Sequence, residues 1–195
     1  MAAAIILMEE AGWTVQDGVM KDAAGTPFTF EIVLRQGDNE NQAIIDIYIA
    51  ALARLGVTPT ITVVDDAQYR ERTQTYDFGM AYYRRGLSLS PGNEQYLYWG
   101  ADGVEEPGTR NWMGMNSPAA DAMIETMLNS ASGDDFVSAV KALDRILTTG
   151  RYVIPIYQFN IGRVAHAKEL KYPENLPMYG DWIGWQPDVW WYEEN

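Results

Sequence analysis

Two adjacent guanidiniums, two serine hydroxyls, an asparagine amide and a carboxylate are gathered in one short run, Arg84-Arg85-Gly86-Leu87-Ser88-Leu89-Ser90-Pro91-Gly92-Asn93-Glu94. This set holds ligands rather than transforming them: an Arg fork fixes a carboxylate, Ser and Asn pair with amides, and Glu94 can receive an amine. The candidate contacts are Arg84, Arg85, Ser88, Ser90, Asn93 and Glu94, with Tyr82, Tyr83 and Trp99 as an apolar wall and Trp112 as a further candidate. The competing reading is a plain Ser-Pro-Gly-Asn turn whose arginines pair with local acids, and residue types alone leave the two open.

Other chemistry finds little support. His166 is the only histidine and there is no cysteine, which excludes disulfides, thiolate metal sites and Cys nucleophiles. No serine elbow accompanies His166, so a structural or exposed role is favoured for it. Asp65-Asp66 and Glu105-Glu106 are adjacent acids, but neighbouring side chains of a strand point apart and neither pair has the spacing of a calcium loop. Asp66 reads as the N-cap of the helix that carries Tyr69. There is no GxGxxG after a strand and no GxxxxGK[ST], so neither motif supports nucleotide binding. A formal charge of −13 repels nucleic acid and anionic lipid. Trp182, Trp185, Trp190 and Trp191 form an aromatic tail, read as packing surface before ligand wall.

The run sits between elements that must position it. Tyr76 to Tyr83 reads as a buried strand, and ligands collect where loops leave the carboxyl ends of strands in open α/β sheets. Upstream, residues 1–12 read as a helix closed by Gly12, and its start without a capping residue reads as a cut into a longer chain. Asp17 to Lys21, a turn at Asp22-Ala23-Ala24-Gly25 and Pro27 to Leu34 read as a β-hairpin. Asn39 to Leu55 has helical spacing at Ile44, Ile45, Tyr48, Ile49, Leu52 and Leu55, followed by the strand Val57 to Val64. This strand–helix–strand unit favours parallel pairing. Asp66 to Thr75 reads as a short helix, Ser117-Pro118 as the start of a helix to Ser130, and Gly133 to Leu147 as another. Tyr152 to Phe159 and Arg163 to Ala167 read as strands. At 195 residues and 47% hydrophobic content the chain can bury a real core. No run reaches the ~20 apolar residues of a membrane span, and Met1 to Met8 lacks the basic flank of a secretion signal.

The order of these elements resembles the family-5 extracellular solute-binding proteins of bacterial ABC importers, the oligopeptide, dipeptide and nickel binders. The resemblance rests on Ala11-Gly12-Trp13 after a helix, Asp17-Gly18-Val19 leading to Pro27-Phe28, the FTFEIVL strand, Leu55-Gly56-Val57, the YDF-type strand and Val153-Ile154-Pro155-Ile156-Tyr157. Leu89 to Gln95, Tyr98-Trp99-Gly100, Pro107 to Asn111 and Ala142 to Leu147 look most like the oligopeptide and microcin-type subgroup.

The resemblance implies an α/β, periplasmic-binding-protein-like C-terminal lobe (class II, cluster C), with a mixed sheet flanked by helices. It implies a lobe over 1–170 and an extension over 171–195 that returns toward an N-terminal lobe. It further implies no enzyme activity, no cofactor and no metal, a peptide or peptide-like ligand, an ABC permease as partner and a periplasmic parent protein. Many peptide binders of this family carry an aspartate in the loop after the YDF-type strand to receive the peptide α-amine. RRGLSLSPGNE has none, and Glu94 is the substitute on offer. The competing classes are a carboxylate-dependent glycan hydrolase and an interaction module without a small ligand.

Overall fold

Ile32, Val33 and Leu34 are buried one after another, so their strand is covered on both faces rather than half-exposed. In this computed structural model, which describes residues 2–86, 90–158, 164–175 and 189–194, that strand is β3 (Glu31–Arg35). It pairs in parallel with β4 (Thr60–Val64) along its whole length, from Glu31 opposite Thr60 to Arg35 opposite Val64. On its other edge β5 (Met80–Ala81) pairs in parallel at Ile32 with Met80 and Val33 with Ala81, giving the order β4-β3-β5. The chain is α/β, as expected. Its central sheet is wholly parallel, and the antiparallel pairing of the expected mixed sheet is confined to separate two-stranded ribbons.

Helices cover the two faces. Ile32 and Leu34 pack on Ile45 of α2 (Asn39–Ala53), while Val33 packs with Val64 and with Tyr69 of α3 (Asp66–Gln74). Each such aliphatic side chain taken from water stabilises the fold by about 1.5–3 kcal/mol, so this short strand anchors the sheet. Asp38 caps α2 through the Asn41 N–H at 3.3 Å. Asp65 caps α3 through the Gln68 N–H at 2.9 Å, correcting the assignment of that cap to Asp66: β4 ends at Val64, so the extended residue before the helix is Asp65.

The hairpin also differs. β1 (Thr14–Gln16) pairs antiparallel with β2 (Val19–Lys21) around Asp17-Gly18, both at positive φ, a two-residue turn that Asp-Gly favours. Pro27 keeps only an isolated bridge to Lys21, because the segment after it joins the parallel sheet instead. Gly56 docks this hairpin: a Cβ there would lie 2.7 Å from the Gly18 oxygen, and its carbonyl accepts the Met20 N–H at 2.9 Å. The strand expected over Tyr76 to Tyr83 shrinks to β5. Tyr76 turns at φ 58, and beyond Ala81 the Tyr82 carbonyl leaves the ladder to accept the Tyr69 hydroxyl at 2.6 Å.

The remaining helices pack on one another. Apart from α1 (Ala2–Glu10) at the start of the chain, they comprise α4 (Glu94–Trp99), a 3-10 turn at Ala101–Val104, α5 (Pro118–Leu128) and α6 (Gly133–Gly150). Ser117 and Ser132 cap the two long helices, and Tyr98, Trp99, Met115, Ile124, Met127 and Leu143 fill the core between them. Asn111, 1% exposed, ties the connecting loop down. Its Nδ2 donates to the carbonyls of Gly100 at 3.0 Å and Met115 at 2.8 Å, and its Oδ1 accepts the Met115 N–H at 2.9 Å.

The chain divides into two compact units, Met1–Val153 and Ile154–Asn195. In the second unit β6 (Leu170–Lys171) pairs antiparallel with β7 (Trp191–Tyr192). His166, which is exposed, meets Tyr172 and Trp190 edge-on at 5.5 and 5.1 Å. The strands expected at 152–159 and 163–167 are not formed in their described residues, and Ile154 and Ile156 are about half exposed, at 57% and 49%. Pro155 removes a ladder donor in the middle of that apolar run. Phe159, Arg163, Trp182 and Trp185 lie outside the described residues. Among those described, no helix is long and apolar enough to cross a membrane.

Asn111→Ala should cost the first unit about 3 kcal/mol or more in urea unfolding, because three buried backbone groups lose their partner together. The Arg72 guanidinium donates to both oxygens of Glu31, at 3.1 and 2.6 Å, and holds the Glu31 carboxyl below the usual glutamate range. A lowered carboxyl stabilises the folded state above its ordinary range and loses that contribution as pH falls through the lowered one. Melting temperature followed across that acid window should therefore fall less steeply in Glu31→Gln than in the wild type.

Candidate functional site

The sheet topology opens a crevice. From β3 the chain crosses through α2 to β4 on one side, then returns through α3 past β3 to β5 on the other. Loops leaving β3 and β5 therefore diverge at their carboxyl ends, the place where open α/β sheets take ligands. A cavity of about 360 Å³ lies there. Leu34 and Arg35 come from the end of β3, Asp38, Glu40 and Asn41 from the start of α2, and Tyr69 from α3. Tyr82, Tyr83 and Arg84 come from the exit of β5, and Trp112 from the loop ahead of α5.

Charges in this cavity balance. Arg35 pairs with Asp66 at 3.0 Å and stands 5.0 Å over the Tyr69 ring, and Arg84 reaches Glu40 at 3.5 Å. Both pairs are largely solvated and contribute little to stability. The Tyr83 and Trp112 rings meet edge-to-face at 4.5 Å, an aromatic wall held from behind by Phe78 at 5.9 Å from Trp112. Asn41 is 8% exposed. Its Nδ2 donates to the Asp38 carboxylate, while its Oδ1 is buried without a hydrogen-bond partner. Burial pushes the Tyr69 hydroxyl up in pKa, so it remains a neutral donor to the Tyr82 carbonyl.

The candidates from sequence divide. Tyr82, Tyr83, Arg84 and Trp112 line the cavity together. Arg85 instead lies over the Tyr98 ring at 3.5 Å, with Trp99 at 5.0 Å and Tyr83 at 5.2 Å, and burial lowers its pKa. Trp99 is 9% exposed and belongs to the helical core rather than to a cleft wall. Glu94 folds back on its own loop, accepting the Gly92 N–H at 2.9 Å and the Gln95 amide at 3.2 Å. The Gly92 N–H holds its carboxyl below the usual range. Asn93 is exposed at the start of α4 and makes no capping bond, and Ser90 is exposed. Ser88 lies outside the described residues.

Arg35, Asp38, Glu40, Asn41 and Tyr69 are cavity residues that the sequence reading passed over. The signal was present: a crevice has two sides, and the loop after β3 is as exposed to ligand as the loop after β5. Asp65 and Asp66 have structural duties, and Glu106 contributes a main-chain contact. Asp65 caps α3, Asp66 pairs with Arg35, and the Glu106 carbonyl accepts the Tyr76 hydroxyl at 3.0 Å. Among the described residues no cluster of His, Asp or Glu could hold a metal ion. The site is equipped to hold a polar, partly apolar solute by hydrogen bonds and ring contacts.

Comparison with known proteins points the same way. A protein of Brucella melitensis is 42% identical over 186 residues, covering 95% of this chain and 29% of that protein. A peptidoglycan-binding protein of Agrobacterium fabrum is 36% identical over 188 residues, covering 96% of this chain and 30% of its own length. The chain thus spans about 30% of such relatives. The oligopeptide-binding protein of Bacillus subtilis, solved with a nonapeptide, superposes with a TM-score of 0.69 at 17% identity, over 77% of this chain and 30% of that one, which supports the fold. Residues 1–106 match the middle region of the bacterial extracellular solute-binding proteins of family 5. With a match over more than half the chain and relatives this similar along nearly all of it, the chain belongs to that family.

Proposed function

We propose that this chain is one lobe of a periplasmic solute-binding protein that takes up peptides or peptide-like solutes and hands them to an ABC permease. The observation that carries the reading is the cavity between the carboxyl ends of β3 and β5, in a chain whose family consists of binding proteins. Peptide-like ligands are favoured because one relative is a peptidoglycan-binding protein and the protein of similar fold holds a nonapeptide. Tyr83 and Trp112 offer faces to apolar side chains, and Asn41, Arg84 and Glu40 offer polar partners to main-chain groups.

In this reading the rest of the parent supplies the facing lobe, residues 171–195 extend toward it, and ligand shifts the open–closed balance through contacts made only when both lobes close on it. The isolated chain should then bind far more weakly than the parent. Calorimetric titration of the parent with tetra-alanine should give a measurable affinity. Trp112→Ala should weaken that affinity about tenfold or more, since a ring contact and its wall are lost together. Unchanged affinity in a folded Trp112→Ala would remove the cavity from the binding site. Cleavage of an added glycan by the parent would favour the hydrolase class instead.

A further inference from the structure

We infer that Arg85 and Arg110, which share the Tyr98 side chain, form a receptor for a carboxylate carried by the ligand, an inference that rests on the cavity being the ligand site. Arg85 lies 3.5 Å over the face of the Tyr98 ring. Arg110 donates from Nη1 to the Tyr98 hydroxyl at 2.8 Å, and its backbone N–H is fixed to the Leu97 carbonyl at 2.9 Å. Tyr98 itself is 4% exposed in the helical core, so both cations are built on a rigid base.

The pair brings two like charges together. Arg35, Arg72 and Arg84 each reach a carboxylate within ion-pair distance. Among the described residues Arg85 and Arg110 do not, and neither do Arg54, Arg70, Arg145 and Arg151; what sets this pair apart is that the two guanidiniums stand together on one side chain. Arg85 is also half-buried, and Arg110 stands close enough for its charge to oppose that of Arg85. Stacking on Tyr98, with Trp99 and Tyr83 near, replaces part of the hydration that Arg85 gives up. It does not neutralise two like charges.

A guanidinium that uses its face against a ring keeps its in-plane N–H groups for acceptors; Arg85 shares its own with the Tyr83 hydroxyl, and a carboxylate matches the donors that remain. The location fits the ligand site. Tyr83, whose ring centre is 5.2 Å from the Arg85 guanidinium carbon, lines the cavity, so an anionic group here would belong to a solute whose body occupies the cavity.

The test uses the parent protein, calorimetry and two matched probe pairs: tetra-alanine against its C-terminal amide, and Ala-Glu-Ala amide against Ala-Gln-Ala amide. In the wild type the charged member of at least one pair should bind about tenfold or more tighter, the range of a charge-assisted hydrogen bond. That preference should fall to within about twofold in Arg110→Gln, whose exposed side chain leaves the core intact, and in Arg85→Lys, which keeps a charge but not the fork. Equal binding within both pairs by the wild type overturns the receptor and leaves the peptide reading standing. A preference that survives both substitutions overturns it as well. Failure of all four probes to bind removes the peptide reading, and the receptor with it.

Discussion

Everything at the site follows from one strand being buried on both of its faces. Ile32 and Leu34 face α2 and Val33 faces α3, so β3 must be central, its neighbours must lie to either side, and its crossovers must take opposite faces. That arrangement parts the loops after β3 and β5. The crevice is therefore a consequence of core packing, and the side chains that line it are those the chain happens to present at two strand ends. Core packing and the shape of the cavity share a cause here.

A second link joins the sheet to the helical core. Trp112 packs on Phe78 and Tyr83 at the sheet's end, while its neighbour Asn111 is bonded into the helical core through Gly100 and Met115. Arg85 spans the same gap from the other direction, leaving β5 beside Tyr83 and ending on Tyr98 and Trp99. Both walls of the cavity near β5 are thus held by groups whose own positions are fixed in the neighbouring core. Such support suits a binding surface that must keep its shape while solute comes and goes.

Much of this was legible in the sequence, and the failures have physical reasons. The long helices were readable because Ser117-Pro118 and Gly56 punctuate two of them and their apolar spacing is regular. The hairpin was misplaced because Asp17-Gly18 was read as part of a strand, when its two positive φ angles make it the turn itself. The apolar run at 153–157 looked like a strand by composition, yet Pro155 interrupts its ladder and its side chains stay exposed. Of the expected contacts, Tyr82, Tyr83 and Arg84 line the cavity because they follow one another where the chain leaves one strand, and Trp112 reaches it from a separate loop. Residue type alone could not place Glu94, whose carboxylate the fold turns onto Gly92. Asn41 escaped notice since nothing in its neighbours announces a buried amide with an unused oxygen.

Hydrogen exchange on the parent protein, free and saturated with tetra-alanine, tests the central claim most directly, because it reports local opening segment by segment. If the crevice takes the ligand, exchange slows at the backbone amides of three separate stretches together: Gly37 to Asn41 after β3, Tyr82 to Gly86 after β5, and Asn111 to Met113 beside them. Peptide binding that left all three stretches exchanging at their free rates would contradict it.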